Sequence, residues 1–417
     1  MGQAKNLINY VIDNNNRLQE ETGTTPIAIS LEASAGIGKT SVVSQVAEER
    51  KMGFTKLDMH QMEEAGDLLG YPQVEYECQI ARIVKDENGN AKRQILPGTV
   101  WLNAKQMDTM DKGTFRQTGK TRMGYAKPAW VPEYNENGNL VLLDDYVRAN
   151  PQLLQACMDL ILEQKYVSWS LPKKTTVVLT NNPDDGSYNV GSLDNAQRSR
   201  FMNFNIAWDR DAWCRWAEGA NVDGRCINFV MSYADELFNV DEQGNSICNP
   251  RSFVMFANTI SGIKDWDKPE NMEFINMLSK GCFEDEDGRF SKMFTSFIRN
   301  KMHLLISPKD MLLGSWDRIK DILQQTLFDQ SGYRQDIAAI LERRFSNYVL
   351  AWLGSEDKTP ISKVRDRILD FLKMSDNEGV SFFTKDMYYH MIKTITSDHK
   401  AQTSKLLFEP RIATEIS

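Results

Sequence analysis

The chain has 417 residues, of which 41% are hydrophobic and 25% charged, an ordinary globular composition on a length above the single-core limit of about 250–300 residues, so two or three domains are expected. Its 49 basic and 57 acidic residues give a net charge of −8, which disfavours nucleic-acid binding through a global basic field. Six cysteines without a Cys-x-x-Cys pair argue against a disulfide framework or a zinc site, and no apolar run reaches the roughly 18 residues of a membrane span, so we expect a cytoplasmic protein with reduced thiols.

The first sixty residues predict alternating helices and strands. Apolar residues recur at helical spacing over residues 3–20, and a short apolar strand follows over 27–32. A helix over 40–49 and a strand over 54–58 come next. This order is typical of an α/β module with a parallel sheet.

Two later strands are predicted to end in polar residues. The apolar run 139–144 closes in two acids, and the run 175–180 leads into a polar turn over 181–186. Together with the strand at 27–32, they bring polar residues to the carboxyl ends of strands, where open α/β sheets bind their ligands.

Residues 74–130, called the insertion below, lie between the predicted strands 54–58 and 139–144 and differ from them in pattern. Alternating apolar residues around the turn 86–90 predict a β-hairpin. The stretch 112–132 contains no acid, and its glycines and aromatic residues predict a flexible basic loop. The basic residues of this stretch are Lys112, Arg116, Lys120, Arg122 and Lys127.

Strand signals fade after residue 205, and helical periodicity takes over. The sequence therefore predicts an α/β module over 1–205, a helical domain over 206–300 and a helical C-terminal extension over 301–417 that carries no recognisable motif. The acid run 284–287 is predicted to be a solvated loop. The predicted helices are 211–218, 227–238, 250–263, 292–305, 307–327, 333–353 and 361–374.

A phosphate-binding loop is predicted at Ala33-Ser-Ala-Gly-Ile-Gly-Lys-Thr40, between the first strand and the helix that follows it. Its glycines let successive backbone N–H groups turn toward phosphate oxygens, its lysine reaches the terminal phosphates, and its threonine hydroxyl binds Mg²⁺. The alternative is a chance glycine-rich turn, but the flanking strand and helix favour a Walker A loop for ATP and Mg²⁺. The predicted contact residues are Ala35, Gly36, Ile37, Gly38, Lys39, Thr40 and Ser41.

An acid on a neighbouring strand must help hold the metal of such a loop. Asp144 ends the run 139–144 and is predicted to bind Mg²⁺ together with Thr40, as a Walker B residue. The alternative is a buried strand whose end is merely capped by acids. Asp145, the next residue, is predicted to position the attacking water.

The ordered series of motifs resembles the MoxR-like branch of the AAA+ ATPases over about residues 1–300. The resemblance implies a P-loop AAA+ αβα parallel-sheet module followed by a helical lid. That family usually has Glu where Asp145 stands, and Asp is one methylene shorter, so either the backbone closes the gap or hydrolysis is slow. The segments that carry the resemblance are 67–72, 144–151, 153–163, 179–183, 193–201 and 249–253.

The same resemblance implies roles for four further residues. Asn182 would be the sensor 1 side chain beside the γ-phosphate, although a plain polar turn explains it equally well in isolation. Arg200, with Arg198 as its rival, would act on the nucleotide of a neighbouring subunit; the alternative is a surface arginine paired with an acid. Arg251 would be the sensor 2 residue at the start of a helix, or else an ordinary exposed arginine in a first turn.

By resemblance, the chain would form a hexameric ring that hydrolyses Mg-ATP and remodels a protein partner, typically one with a von Willebrand factor A domain. The basic stretch 112–132 would be a pore or substrate-engaging loop, with a solvated surface loop as the alternative. Two further functions stay open. One is a clamp-loader-like or nucleic-acid-translocating ATPase, and the other is an ATP-binding scaffold with weak hydrolysis.

Overall fold

A computed structural model of the chain divides it into two units, Gly2–Ala207 and the residues from Trp208 onward. The predicted turn 86–90, Lys112, Glu284 and all residues after 396 lie outside the described residues. The described residues are 2–85, 91–111, 113–183, 193–238, 246–283, 285, 287–329, 332–353, 359–372 and 381–396.

The first unit alternates helices with strands. Its helices are α1 (Gly2–Thr22), α2 (Lys39–Glu49), α3 (Ala65–Leu69), α4 (Ala104–Thr109), α5 (Pro151–Glu163) and α6 (Asn195–Arg198). Its strands are β1 (Ala28–Glu32), β2 (Gly53–Asp58), β3 (Pro72–Lys85), β4 (Ala91–Ile95), β5 (Val100–Asn103), β6 (Phe115–Tyr125), β7 (Asn139–Asp144), β8 (Lys165–Tyr166), β9 (Trp169–Ser170), β10 (Thr175–Asn181) and β11 (Phe201–Asn205).

Five parallel strands form the central sheet in the order β11-β1-β10-β7-β2. Strands β7 and β10 lie in its interior, and the apolar residues at their centres, 140–143 and 177–179, are fully buried, as in other buried parallel strands. The chain leaves β1 for β2 on one side and returns as β11 on the other. This change of direction opens a crevice beside the carboxyl end of β1. The predicted α/β class is confirmed.

A buried asparagine explains why α1 continues through its polar second half to Thr22. The Asn15 side chain is 1% exposed, accepts a hydrogen bond from the Ile27 backbone N–H and donates one to the Ile27 carbonyl, both at 2.9 Å. A polar residue at this position therefore fastens the helix to the start of β1.

The insertion is an antiparallel sheet in which β3 pairs with β4, β5 and β6. The predicted hairpin is present as β3 and β4. The predicted flexible loop is wrong for Phe115–Tyr125, which is strand β6, because β3 pairs with it from Pro72 to Ile80, with one register shift between Tyr76 and Cys78.

Acids on β3 neutralise part of the basic stretch. The Arg122 guanidinium lies 2.7 Å from the carboxylate of Glu75, which is 5% exposed, and 4.6 Å from the ring centre of Trp101. Lys120 lies 3.5 Å from Glu77. The absence of acids between residues 112 and 132 therefore does not make this surface strongly basic.

In the described part of the second unit, the chain is helical apart from one pair of short strands. Its helices are α7 (Arg210–Gly219), α8 (Gly224–Phe238), α9 (Pro250–Ile260), α10 (Pro269–Phe283), α11 (Arg289–Arg299), α12 (Pro308–Leu313), α13 (Trp316–Leu327), α14 (Gln335–Leu353), α15 (Ile361–Leu372) and α16 (Lys385–Thr396), and its hairpin strands are β12 (Phe328–Asp329) and β13 (Gly332–Tyr333). The predicted helix 307–327 is two helices that meet at Gly314, and α10 and α16 were not predicted.

One aromatic core runs through this unit without a break near residue 300. Phe229 contacts Phe294 and Phe297 at ring-centre distances of 5.0 and 5.2 Å, and the same cluster includes Phe345. A buried ion pair of 2.7 Å between Arg344 of α14 and Glu218 of α7 also crosses this point. Helices on both sides of the predicted boundary near 300 thus share one core.

The acid run 284–287 is not simply a solvated loop, because Asp285 is 7% exposed and caps α11. Its carboxylate accepts hydrogen bonds from the backbone N–H groups of Phe290 and Ser291 at 3.1 and 2.9 Å and from the Ser291 hydroxyl. Burial alone would raise the pKa of Asp285, but these bonds outweigh it and hold the pKa below its ordinary value.

The structure adds observations on membrane spans, metal sites and cysteine chemistry. No helix within the described ranges is long and apolar enough to cross a membrane. No group of three or more His, Cys, Asp or Glu side chains in the described part of the chain could hold a metal ion by itself. All six cysteines are free, and burial raises the pKa of the Cys157 thiol to about 12, which keeps it unreactive.

Replacing Asp285 with Ala is expected to destabilise the helical unit by about 1–2 kcal/mol at pH 7, because two first-turn N–H groups lose their acceptor. The pKa of Asp285 is lower in the folded state than in the unfolded state. The stabilisation by this carboxylate is therefore fully present at pH values above the unfolded-state pKa, and it is lost as the pH falls through the folded-state pKa. Urea unfolding at pH 7 and in acid measures both effects. The matched control is exposed Asp287→Ala, and equal losses for the two variants would contradict the cap.

Candidate functional site

The loop between β1 and α2 has the backbone of an anion site. Gly36 and Gly38 have φ of 79° and 96°, a conformation that residues with a Cβ rarely adopt. Gly38 caps α2, and helix bonding begins with the Val42 N–H donating to the Gly38 carbonyl at 3.0 Å. The first N–H groups of α2 therefore have no acceptor within the helix, and the helix dipole adds positive potential there.

Lys39 and Asn182 lie together in this crevice. Lys39 is 8% exposed, and its ammonium donates to the carbonyls of Ala33 and Ser34 at 2.6 and 3.2 Å and to Asn182 Oδ1 at 2.8 Å. These three described acceptors are neutral oxygens, and they hold the ammonium in the crevice, where its positive charge attracts an anion.

Thr40 and Asp144 also meet, across 104 positions of sequence. The Thr40 hydroxyl donates to Asp144 Oδ1 at 2.8 Å, and the Thr180 hydroxyl donates to the same oxygen. Burial would raise the pKa of Asp144, but hydrogen bonds from Thr180, Thr40 and Lys56 outweigh it and lower the pKa. Asp144 is therefore ionised at neutral pH, as a metal ligand must be.

Lys56 and Asp58, both on β2, complete this edge of the sheet. The Lys56 ammonium lies 2.5 Å from Asp58 Oδ1 and 3.1 Å from Asp144 Oδ2. The hydrogen bond to Asp58 is the largest cause that raises the pKa of Lys56, with a further contribution from Asp144 against desolvation. Sequence reasoning missed both residues, although the strand 54–58 also ends in an acid.

Asp145 adopts the left-handed conformation, with φ 53° and ψ 45°. Its backbone N–H donates to the Thr180 hydroxyl at 3.1 Å, and its carboxylate lies 3.8 Å from Arg148 Nε. This conformation costs a non-glycine residue about 1–2 kcal/mol. The backbone turn directs Asp145 away from the path of β7, and Arg148 is a neighbour that the sequence did not reveal.

Asn181 ties the strands behind the site. Its side chain is buried, donates to the Ser30 hydroxyl at 2.9 Å and accepts from the Val147 N–H at 3.2 Å. Its backbone carbonyl accepts from the Ala33 N–H at 3.1 Å. One residue thus links β1, the start of the phosphate loop and the segment after Asp145.

Arg198 and Arg200 precede β11, at the amino end of the sheet. Strand β11 runs parallel to β1 with Phe201 opposite Ala28, so about five residues, roughly 16 Å, separate Arg200 from the phosphate loop along the strand. Arg198 Nε donates to the Leu193 carbonyl at 3.2 Å. The Arg200 guanidinium donates to the Ala196 carbonyl, and its Nε is buried without a hydrogen-bond partner among the described residues. Neither arginine is near the phosphate loop of its own chain.

Arg251 belongs to the second unit, on an exposed position in the first turn of α9. Asn249 caps this helix by accepting from the Ser252 N–H at 3.0 Å, and Pro250 is its first residue. The first unit thus gathers Lys39, Thr40, Asp144 and Asn182 into one site with Asp145 beside it, whereas the sensor 2 role of Arg251 stays a prediction.

These residues fit a nucleoside triphosphate with Mg²⁺. The positive-φ glycines and the start of α2 offer N–H groups to phosphate, the Lys39 ammonium adds a cation, and ionised Asp144 lies beside the Thr40 hydroxyl as a pair of oxygen ligands for a hard cation. Ala35, Ile37 and Ser41 are part of the same segment, and Ile37 is buried.

No protein-family profile matches the chain, and no curated protein is significantly similar to it. It is similar to solved structures of a candidate ATPase from Cytophaga hutchinsonii (14% identity, 94% of each chain, TM-score 0.29). Two variants of Thermotoga maritima RuvB are also similar, each at 12% identity. The first match covers 80% of this chain and 93% of that one with a TM-score of 0.29, and the second covers 79% of this chain and 92% of that one with a TM-score of 0.35. TM-scores this low support no argument about function, which rests on the residues of the chain itself.

Asn181→Leu is expected to destabilise the first unit by about 2–3 kcal/mol, because it leaves the buried Ser30 hydroxyl and Val147 N–H without their partner. Urea unfolding measures the loss. Asn203→Leu is the matched control, since its bond to Glu32 at 3.1 Å is exposed and its removal should cost less than about 0.5 kcal/mol. A loss no greater than that of the control would show that Asn181 does not hold the strands together.

Proposed function

We propose that this chain binds and hydrolyses ATP with Mg²⁺. The observation that carries the proposal is the meeting of Lys39 with Asn182 and of Thr40 with Asp144 at one edge of the sheet. A glycine-rich turn formed by chance would not place an amide beside its lysine and an ionised acid beside its threonine. The site therefore supports nucleotide chemistry better than a structural role.

Each residue has a distinct task in this proposal. The N–H groups of the phosphate loop and the Lys39 ammonium bind the phosphates, while Thr40 and Asp144 hold the metal. The bound metal supplies charge neutralisation at the phosphates. Asn182, fixed by its hydrogen bond with Lys39, orients the attacking water, and Asp145 accepts its proton.

We further propose that the protein is a MoxR-like AAA+ ATPase that acts in the cytoplasm as a ring, hexameric by resemblance, and remodels a protein partner such as one with a von Willebrand factor A domain. The position of Arg198 and Arg200 supports assembly, because both lie too far from their own phosphate loop to act on it. The buried Nε of Arg200 lacks an acceptor within the described part of the chain, so its guanidinium gains by moving to an oxygen on a neighbouring subunit.

An ATP-binding scaffold with weak hydrolysis is the second candidate, and the geometry of Asp145 favours it. The carboxylate is one methylene shorter than that of Glu and already has Arg148 at 3.8 Å. A nucleic-acid-translocating ATPase is less favoured, because Glu75 and Glu77 pair with two of the basic side chains on β6.

Lys39→Ala is expected to weaken the binding of a fluorescent ATP analogue at least about a hundredfold, since a buried ammonium that contacts phosphate is lost. Lys5→Gln is the control, because Lys5 is a partly exposed lysine whose ion-pair partner Glu49 ends α2, at the opposite end of that helix from Lys39. Equal binding by Lys39→Ala and wild type would refute the nucleotide site. Steady-state phosphate release by the wild type then separates the ATPase from the scaffold.

The trans role of Arg200 predicts complementation between two inactive variants. Arg200→Ala should lower phosphate release on the order of a thousandfold and leave nucleotide binding intact. Mixing it with Lys39→Ala should partly restore activity, because Lys39→Ala copies supply an intact Arg200 to nucleotide bound by their neighbours. Light scattering with ATP checks that particles grow. The matched experiment mixes Arg198→Ala with Lys39→Ala. If phosphate release recovers in that mixture and not in the Arg200→Ala mixture, the role belongs to Arg198 instead.

A further inference from the structure

Lys56 is a cation that already lies at the proposed metal ligand. Its ammonium lies 3.1 Å from Asp144 Oδ2 and 2.5 Å from Asp58 Oδ1. The other carboxylate oxygen of Asp144, Oδ1, accepts the hydroxyls of Thr40 and Thr180. Both oxygens of Asp144 are therefore engaged by groups of the chain itself.

The register of the sheet explains why a lysine is needed here. Asp58 and Asp144 are direct partners on the adjacent parallel strands β2 and β7. Two ionised carboxylates side by side repel each other, and the Asp144 side chain is only 16% exposed, so water screens this repulsion poorly. Lys56, two residues before Asp58 on the same face of β2, balances the pair.

We propose that Lys56 is a built-in counter-cation that competes with Mg²⁺ for Asp144 and thereby sets the Mg²⁺ concentration at which nucleotide binds. The inference rests on the proposed nucleotide site. Asp58 is the acceptor that retains the ammonium when Asp144 turns to the metal. Lys56 is 36% exposed in its side chain, so the ammonium has room to make this shift.

The test is a Mg²⁺ titration of fluorescent ADP binding at equilibrium, which does not depend on turnover. Lys56→Gln removes the competitor and should lower the Mg²⁺ concentration at half-saturation roughly three- to tenfold. Asp58→Asn removes one acid and leaves the ammonium to Asp144 alone, so it should raise that concentration. Lys56→Arg keeps the charge and should stay closer to wild type than Lys56→Gln.

Lys5→Gln is the matched control and should leave the titration unchanged. Thermal unfolding identifies any variant that fails to fold, and Lys56→Met then replaces Lys56→Gln. If Lys56→Gln needs as much Mg²⁺ as wild type, or more, Lys56 does not compete with the metal and the inference is wrong while the nucleotide site stands. If the wild type binds no ADP at any Mg²⁺ concentration, the proposed function itself fails.

Discussion

The parallel register of β1, β10 and β7 is the constraint on which the candidate site depends. Parallel strands all end at one edge, and the interiors of β7 and β10 are buried, so side chains that must stay polar collect just beyond the last apolar residue. Asn181 makes this edge rigid, because its carbonyl and side chain bind β1, the start of the phosphate loop and the segment after Asp145. The hydrogen bonds of Asn181 therefore help to place the phosphate loop beside Asp144, together with the burial of Ile37.

Charge balance at this edge then determines which groups are free to act. Among the described residues, Lys39, Lys56 and Arg148 bring three cations, and Asp58, Asp144 and Asp145 bring three carboxylates. Lys39 donates to the carbonyls of Ala33 and Ser34 and to the Asn182 amide, whereas Lys56 and Arg148 contact acids. Lys39 therefore lies with the N–H groups of the phosphate loop, where an incoming anion would bind, while Lys56 and Arg148 balance the carboxylates.

Local sequence patterns predicted those parts of the site that can each be recognised from a few consecutive residues. The loop from Ala33 to Thr40, the acid that ends β7 and the amide that follows β10 each carry a recognisable pattern of a few residues. Lys56 and Asn181 carry none, because what they do depends on which strand lies beside theirs and in which register. Arg148 carries none either, because its contact depends on the left-handed turn at Asp145, three residues earlier. Similarly, the alternation of helices and strands in the first sixty residues was predictable, whereas the single core shared across residue 300 depends on contacts between α7 and α14 that periodicity cannot reveal.

The basic stretch 112–132 also shows that a local pattern cannot reveal contacts with distant residues, and here the pattern predicted a property that the fold removes. Between residues 112 and 132 the sequence contains no acid, so a window of that length predicts a strongly positive loop. Strand pairing brings Glu75 and Glu77 onto Arg122 and Lys120 from more than forty positions away, and it fixes residues that would otherwise be a flexible loop. Arg122 also lies over the Trp101 ring, so its guanidinium is engaged on two sides. A surface with this pairing offers a phosphate backbone fewer unpaired cations than its sequence suggests.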